Sequence, residues 1–328
     1  MISVIPLILV YFGCCSNVVF LELLTSEAPG SGNIITFAQF LVIAVEGFIF
    51  STKFGRKKAV IPLSYYASLV VMFFLVSVAN NYALNFNISM PLHMIFRSGS
   101  LIANMILGMI ILKRSYKLKK FIAVGMITIG ISICTVASRR DVQSSQVNVS
   151  EESTFEDLQF WLIGLFLLTF ALFASAYMGI YQEILYKKFG KQPREALFYS
   201  HALPLPGFLL LAKNIYTHAV IFSNSEPVQV PIAGGIPKLW LYLLGNVITQ
   251  YVCIRSVYWM TTELSSLSVT LIVTLRKFLS LLLSIFYFQN PFTFVHWTGT
   301  ILVFGGTLVF VDLADVWKEY KSKQQKSD

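Results

Sequence analysis

The chain has 328 residues, of which 56% are hydrophobic and only 12% are charged, and its net charge is +9. Soluble domains carry about 25% charged residues, so this composition excludes an ordinary water-soluble fold and indicates an integral membrane protein. A basic balance can point to nucleic acid, but here the cations are spread over loops between apolar runs. That distribution suits membrane topology, and we predict no nucleic-acid partner.

Ten apolar runs are each long enough to cross a lipid bilayer as a helix, which takes about 20 residues. A closed β-barrel is the other spanning structure, but its strands would be about 10 residues long and would alternate in polarity, which these runs do not. We therefore predict an all-α membrane protein with one transmembrane domain over residues 1–328. The predicted spans, one to ten, are about 3–24, 33–52, 60–80, 89–112, 119–138, 159–181, 196–213, 238–261, 264–288 and 294–313.

The loops between these spans alternate sharply in positive charge. Arg139, Arg140, Lys213 and Lys238 are the basic residues on one side. The other side carries Lys53, Arg56, Lys57, Lys58, Lys113, Arg114, Lys117, Lys119, Lys120, Lys187, Lys188, Lys191, Arg194, Lys318, Lys321, Lys323 and Lys326. Because Lys and Arg collect on the cytoplasmic side of a membrane, ten spans with both termini in the cytosol are expected.

A polar, acidic segment at about residues 139–158 lies on the predicted lumenal side and is expected to be a flexible loop. It contains the glycosylation sequon Asn148-Val149-Ser150 on the side where it could be used. A second sequon, Asn87-Ile88-Ser89, abuts the start of span four and lies too close to the membrane to be favoured.

The four cysteines, Cys14, Cys15, Cys134 and Cys253, all lie in apolar runs. Adjacent cysteines are a poor disulfide pair, and none of the four has a metal-ligand spacing. We expect all four to be small buried apolar residues, and we predict no metal site.

The two halves of the chain share a layout. Spans four and nine each contain an intramembrane arginine, Arg97 and Arg276, and each is followed by a glycine-bearing span with Gly130 or Gly305. This spacing predicts two five-helix repeats, at about 1–138 and 159–313, with a cytosolic tail at 314–328. An odd number of spans makes the second copy inverted, which is the architecture of secondary transporters that bind substrate between the repeats.

Three cations lie inside predicted spans: Arg97 in span four, and Arg276 with Lys277 in span nine. A cation at the bilayer centre costs about 2.5–3.5 kcal/mol on insertion scales, so it normally faces a water-filled cavity or a partner. Neither span contains a carboxylate, which points to an anionic ligand. Snorkelling to the membrane surface is the alternative for Arg97, whereas Arg276 and Lys277 lie too far from both ends of their span.

Other polar residues of the spans are weaker candidates for substrate contacts. Ser280 continues the helix face of Arg276. Amides could read a base or sugar, a tyrosine could stack on a base, and a histidine could bind, but helix–helix hydrogen bonds and aromatic belts explain such residues equally well. These candidates are Asn17, Gln39, Tyr199, His201, Asn246 and Gln250.

The remaining charged residues of the spans have simpler explanations. Arg255 is expected to snorkel or to pair with Glu263, and Glu22 to be solvated near a span end. Glu46 lies deeper and could pair with a cation from another helix or titrate. In span seven, Pro204-Leu205-Pro206-Gly207 should break the helix, either as a hinge or as a static kink.

Enzyme motifs such as HExxH, GxSxG and the Walker GxxxxGK[ST] are absent from the sequence. We therefore predict no catalytic residues and no cofactor, and a membrane-embedded hydrolase remains the alternative from another class.

Several long segments identify a family resemblance. The segments GCCSNVVFLELL, NNYALNFNISMPLHMIFRSGSLIANM, EALFYSHALPLPGF and VTLIVTLRKFLSLLLSIFYFQNPFTFVHW resemble the B branch of solute carrier family 35, and the similarity runs from span one to span ten. It implies a drug/metabolite-transporter fold of ten helices in two inverted halves.

The same resemblance implies a function. The chain would exchange cytosolic UDP-sugar (UDP-N-acetylglucosamine and/or UDP-xylose) for lumenal UMP across a Golgi or endoplasmic reticulum membrane, as a monomer or a homodimer. Lys277 corresponds to a lysine that binds the phosphates, and Arg276 and Arg97 to cations that line the cavity. Another nucleotide, such as an adenine nucleotide, is the alternative cargo.

Overall fold

The protein is described by a computed structural model covering residues 4–86, 88–144, 151–190, 192–230, 234–263, 266–290 and 292–311. Helices dominate every part of the described chain. They are α1 (Val4–Glu27), α2 (Gly32–Glu46), α3 (Leu63–Ala83), α4 (Met90–Ser98), α5 (Ser100–Leu112), α6 (Leu118–Ser144), α7 (Glu151–Phe189), α8 (Pro193–Ala202), α9 (Ala212–Ser223), α10 (Lys238–Glu263), α11 (Ser266–Phe288) and α12 (Phe294–Val311).

Eight helical segments among the described residues are long and apolar enough to cross a membrane. They include the predicted spans one to seven and span ten. The helices α10 and α11 cover predicted spans eight and nine but do not belong to this set. The described chain is thus mostly helical, in agreement with the predicted all-α class, while the number of ten spans and the two repeats stay predictions.

Two of the predicted spans are broken, each at a site that the sequence explains. Span four divides at Gly99 into α4 and α5. Span seven divides at the predicted proline motif, where α8 ends at Ala202 and a 3₁₀ helix, Leu205–Leu211, leads into α9. Proline lacks a backbone N–H and clashes with the preceding turn, so the chain cannot continue as one α-helix. A π-helical turn, Gly47–Ser51, also ends α2.

The predicted lumenal loop is shorter than expected. The backbone is helical to residue 144 and again from residue 151, so much of the segment 139–158 belongs to α6 and α7. A polar composition places a segment in water but does not prevent it from forming a helix. The asparagines of both sequons, Asn87 and Asn148, lie outside the described residues.

One element was not predicted. The strands β1 (Pro227–Val230) and β2 (Gly234–Pro237) form an antiparallel pair in which Val228 faces Ile236. The pair fills the connection between α9 and α10, which lies on the predicted lumenal side.

The most extensive helix pairs are α6 with α12, α1 with α10, and α3 with α7. The α6–α12 pair is close because both helices carry glycine at the crossing. A Cβ atom added to Gly130 would lie 2.5 Å from the carbonyl oxygen of Gly299, and one added to Gly299 would lie 2.7 Å from that of Gly130. Small residues allow this approach between membrane helices.

The prediction for the cysteines is wrong for two of the four. Cys14 of α1 and Cys253 of α10 form a disulfide, with a Cα–Cα distance of 4.7 Å. The two residues are 239 positions apart and meet only because α1 and α10 pack side by side. Cys15 and Cys134 are free and buried, as expected.

Candidate functional site

Arg97 lies in the last turn of α4, two residues before the break at Gly99. The start of α4 is fixed by Ser89, whose hydroxyl oxygen accepts a hydrogen bond from the backbone N–H of Leu92 at 3.4 Å. The Arg97 side chain is accessible to water although protein atoms surround it closely. Arg97 is not among the residues that line the cavity beside it, so the cavity-facing interpretation of Arg97 stays a prediction.

Lys277 lines a cavity of about 240 Å³ between α4, α5, α11 and α12. Its ammonium group donates a weak hydrogen bond, 3.5 Å long, to the backbone carbonyl oxygen of Arg97. The break at Gly99 ends α4 at this point, so the partial negative charge of a helix C-terminus faces the lysine. The cation of span nine therefore lies against the helix end that carries Arg97.

Arg276 lies one residue before Lys277 and points to a different side of α11, because neighbours on a helix are about 100° apart. Its Nε atom is buried and has no hydrogen-bond partner among the described residues. A buried donor left unpaired costs about 1–3 kcal/mol. An acceptor supplied by a ligand would remove that cost.

The three cations influence one another electrostatically: Arg97 acts on both Arg276 and Lys277. Within the described part of the chain, no carboxylate forms a salt bridge with any of the three. The ion pairs found there involve other cations, namely Arg114, Lys187, Lys238 and Arg255. The site is thus a cluster of positive charge that repels itself, and an anion would relieve that repulsion.

Ser280 lies on the same side of α11 as Arg276, as predicted, but it faces α1. Its hydroxyl group donates to Cys15 Sγ at 3.5 Å, and the residue is 2% exposed. One turn later, Ser284 donates to the buried carboxylate of Glu22 at 3.0 Å. Ser280 therefore contacts a helix in this conformation, and a ligand could reach it only if α1 and α11 moved apart.

Neutral polar residues of the cavity were missed in the sequence. Asn104 of α5 lines the cavity, its side chain is exposed, and it makes no hydrogen bond within the described residues. The sequence feature that could have identified this residue is a single amide in the apolar run SLIANMILGMIIL. The other polar residues of the lining, apart from Lys277, are Ser98, Ser100, Thr274 and Thr307.

The predicted amides lie elsewhere and connect helices. Asn17 donates to the carbonyl oxygen of Asn246 at 2.9 Å, and Asn246 donates back to the carbonyl oxygen of Asn17 at 3.1 Å. Gln39 donates to Asn246 Oδ1 at 2.7 Å. Asn246 is fully buried, so these contacts favour the helix–helix alternative for the three residues. Gln250 is half-buried on α10 and makes no hydrogen bond among the described residues.

The aromatic candidates are also separate from the cation cluster. His201 is buried, bonds through Nδ1 to the carbonyl oxygen of Leu197 at 2.8 Å, and packs between Phe40 and Phe73. This is the environment of a structural histidine. Tyr199 lines a second pocket, near the predicted cytosolic ends of the helices, that shares no residue with the Lys277 cavity.

The remaining acidic residues of the spans have protein partners. Glu46 pairs with Arg255 at 3.2 Å and accepts from Tyr251 at 3.0 Å, which confirms that Glu46 pairs with a cation from another helix. Arg255 thus has a partner that the sequence did not predict, while the side chain of its predicted partner Glu263 lies outside the described residues. Glu22 is not solvated either: it is 5% exposed and also accepts from Asn290.

The chain is similar to known proteins over almost its whole length. The model of the UAA transporter family matches residues 2–314. The "UDP-xylose and UDP-N-acetylglucosamine transporter" of Danio rerio is 63% identical over 310 residues, 93% of this chain and 92% of that protein. The "Nucleotide sugar transporter SLC35B4" of Homo sapiens is 60% identical over 319 residues, 97% of this chain and 96% of that protein.

Two further similarities extend these findings. The "Endoplasmic reticulum GDP-fucose transporter" of Drosophila melanogaster is 53% identical over 332 residues, 99% of this chain and 94% of that protein. A crystal structure at 13% identity aligns with a TM-score of 0.52 over 92% of this chain and 96% of its own. At that identity the likeness supports the fold alone.

Proposed function

Because this chain belongs to the UAA transporter family, we propose that it carries UDP-N-acetylglucosamine and UDP-xylose across a membrane in exchange for UMP. Relatives that are 63% and 60% identical are named as transporters of these UDP-sugars or of nucleotide sugars. The chain is accordingly a nucleotide-sugar transporter and not an enzyme. The exchange for UMP goes beyond what the names of these relatives say and is the additional part of the proposal.

One observation carries the assignment of the site: three cations meet in the membrane domain, and none has a carboxylate partner among the described residues. A UDP-sugar brings two ionised phosphates. Arginine binds phosphate oxygens in a bidentate fashion and lysine binds as a point charge. We assign Lys277 and Arg97 to the phosphates, and Arg276 to the side of the ligand that faces α1.

The size of the cavity supports a moving site. Ligand pockets usually enclose about 300–1,000 Å³, whereas the Lys277 cavity measures about 240 Å³. This space suits one part of a UDP-sugar, so the cavity must widen during transport. A bound anion offsets the repulsion among the cations and lets the two halves close around it. Without an anion the repulsion opposes closure, which favours exchange over one-way transport.

The packing of the helices supports ten spans in two inverted halves. In two five-span repeats, span one corresponds to span six and span three to span eight. The pair of spans one and eight (α1 with α10) then corresponds to the pair of spans six and three (α7 with α3), and both pairs are extensive. Gly130 and Gly305 are 175 residues apart. If the two halves repeat with this offset, the contact between residues 130 and 299 predicts a corresponding contact between residues 305 and 124. A close approach of Gly306 to the carbonyl oxygen of Ala123 lies beside it.

The orientation and the membrane of the transporter are inferred from its charged loops and its family. The concentration of basic residues in alternate loops supports cytosolic termini. A nucleotide sugar is made in the cytosol and used in the lumen of the secretory pathway, so a Golgi or endoplasmic reticulum membrane is the proposed location. The homodimer stays a prediction.

The test is exchange of UDP-sugar for UMP in proteoliposomes. Lys277→Ala should abolish exchange, because it removes a charge that binds the phosphates, while Lys277→Arg should keep part of it. Arg255→Gln is the matched control, since Arg255 is also a span cation but pairs with Glu46 away from the cavity. Full exchange by folded Lys277→Ala, or equal loss in Arg255→Gln, would contradict the proposal.

A GDP-sugar is the second candidate cargo. The Drosophila relative, named as a GDP-fucose transporter, is 53% identical, and the cations bind phosphate whatever the base. Counterflow uptake against a panel of UDP-, GDP- and adenine-containing nucleotides distinguishes these cargoes. Preferential uptake of GDP-fucose would replace the UDP-sugar proposal and leave the cation site unchanged.

A further inference from the structure

A second cavity, of about 340 Å³, lies between the connection that follows α2 and the start of α8. Its basic lining residues are Lys53, Lys57, Lys58 and Arg194. These cations are exposed and form neither a salt bridge nor a hydrogen bond through their side chains within the described residues. Basic residues are expected in any cytosolic loop, but here they converge on one concave site instead of projecting separately into water.

One carboxylate, Glu195, belongs to the same lining, and it is already occupied. Its two oxygens accept hydrogen bonds from the backbone N–H groups of Val60 and Ile61, both at 2.9 Å, and from the hydroxyl group of Tyr66 at 3.1 Å. Glu195 therefore fastens the connection to α8 and fixes the shape of the cavity. The four cations remain free to bind an external anion.

The rim of the cavity is apolar and exposed. Phe50, which lines the cavity, is 73% exposed, and the neighbouring Phe54 is 64% exposed. Aromatic side chains at the end of a membrane helix lie at the level of the lipid headgroups. A cavity with lysines inside and phenylalanines at its edge thus matches a molecule that has both a phosphate and acyl chains.

The backbone here is held in an unusual shape. Lys53 and Phe54 have φ values of 49° and 59°, which non-glycine residues rarely adopt. Thr52 holds the turn, because its hydroxyl group donates to the carbonyl oxygen of Phe48 at 2.8 Å and accepts from the N–H of Gly55 at 3.1 Å. This turn directs Lys53 into the cavity and leaves the ring of Phe54 exposed beside it.

From the convergent cations, the occupied carboxylate and the aromatic rim, we propose that this cavity binds the phosphorylated headgroup of an anionic membrane lipid. The proposal does not depend on which nucleotide sugar is carried. A headgroup in this position would touch both halves of the protein, because the α2–α3 connection belongs to the first half and α8 to the second.

The experiment is native mass spectrometry of the purified full-length protein, titrated with phosphatidylinositol 4-phosphate, and in parallel with phosphatidylcholine or UMP. The pocket variant is Lys57→Gln/Lys58→Gln. Near a membrane surface each Lys or Arg strengthens binding to an anionic lipid about fivefold. The loss of two should therefore weaken binding of the phosphoinositide by about 30-fold. Lys57→Arg/Lys58→Arg keeps the charge and should bind it like the natural protein.

The matched control is Lys113→Gln/Lys117→Gln, which removes the same charge from exposed residues of the α5–α6 connection, on the same predicted side of the membrane. It should leave phosphoinositide binding unchanged. Equal weakening in both Gln variants would show general attraction to basic loops and overturn the site, as would undiminished binding in the pocket variant. Loss of UMP binding instead of lipid binding would assign the cavity to a soluble nucleotide and also refute the proposal.

Discussion

Replacing Gly130 by alanine should destabilise the protein, because Gly130 lies where α6 and α12 cross. The added Cβ atom would lie 2.5 Å from the carbonyl oxygen of Gly299, 2.8 Å from Cγ2 of Val303 and 2.9 Å from the backbone nitrogen of Val303. Two of these atoms belong to the backbone of α12, so the helix itself would have to move. Overpacking of this kind costs about 1–3 kcal/mol.

A second glycine of the same helix gives the control. A Cβ atom added to Gly125 meets no other atom within 4 Å. Both substitutions gain the same helix preference, about 0.8–1.0 kcal/mol in favour of alanine, so this gain cancels when the two variants are compared. The difference in stability between Gly125→Ala and Gly130→Ala should therefore equal the steric cost alone.

The assay is thermal unfolding of the two purified variants in the same detergent. The entropy of unfolding is about 2.1 cal/mol/K per residue, so one kcal/mol corresponds to roughly 1.5 °C in a chain of 328 residues. Gly130→Ala should therefore unfold at least about 1.5 °C below Gly125→Ala. Nucleotide-sugar exchange should fall in Gly130→Ala and persist in Gly125→Ala, because α6 and α12 are the corresponding spans of the two proposed halves. Identical unfolding temperatures would refute the close approach of these helices.

Two further predictions concern single polar residues. Asn104→Asp places a carboxylate in the Lys277 cavity, where it would repel the phosphates of the ligand. Because like charges brought together cost several kcal/mol, the KM for UDP-sugar in counterflow uptake should rise at least about tenfold. An unchanged KM would remove Asn104 from the site. Glu22→Ala removes the acceptor of the Ser284 hydroxyl group and one of the acceptors of the Asn290 amide, a loss of about 1–3 kcal/mol. It should therefore lower the unfolding temperature more than Glu22→Gln, and the reverse order would contradict the buried network.

The charged part of the site could be predicted from the sequence because charge in a membrane is costly. Arg97, Arg276 and Lys277 stand out in their apolar runs without any knowledge of the fold, and the structure places Lys277 against the end of α4 that carries Arg97. The helix break at Pro204 to Gly207 was likewise visible, since proline acts locally. Such features depend on one residue and its immediate neighbours.

Contacts between distant helices could not be predicted in this way. The Cys14–Cys253 disulfide and the Glu46–Arg255 pair join residues more than 200 positions apart, and their partners depend on which helices are neighbours. The same limit explains the amides. Asn17 and Asn246 connect two helices, while Asn104 faces a cavity, although each is an amide in an apolar helix.

The two kinds of residue have different tasks in the proposed exchange. A UDP-sugar carries two ionised phosphates, and a phosphate monoester such as UMP carries a charge of about −1.5 to −2 at neutral pH. Arg97, Arg276 and Lys277 therefore meet nearly the same charge in both directions, which suits exchange but gives no means of distinguishing one sugar from another. We expect that choice to depend on neutral hydrogen-bonding groups beside the cations, and Asn104 and Ser100 are two such residues in the lining of the cavity.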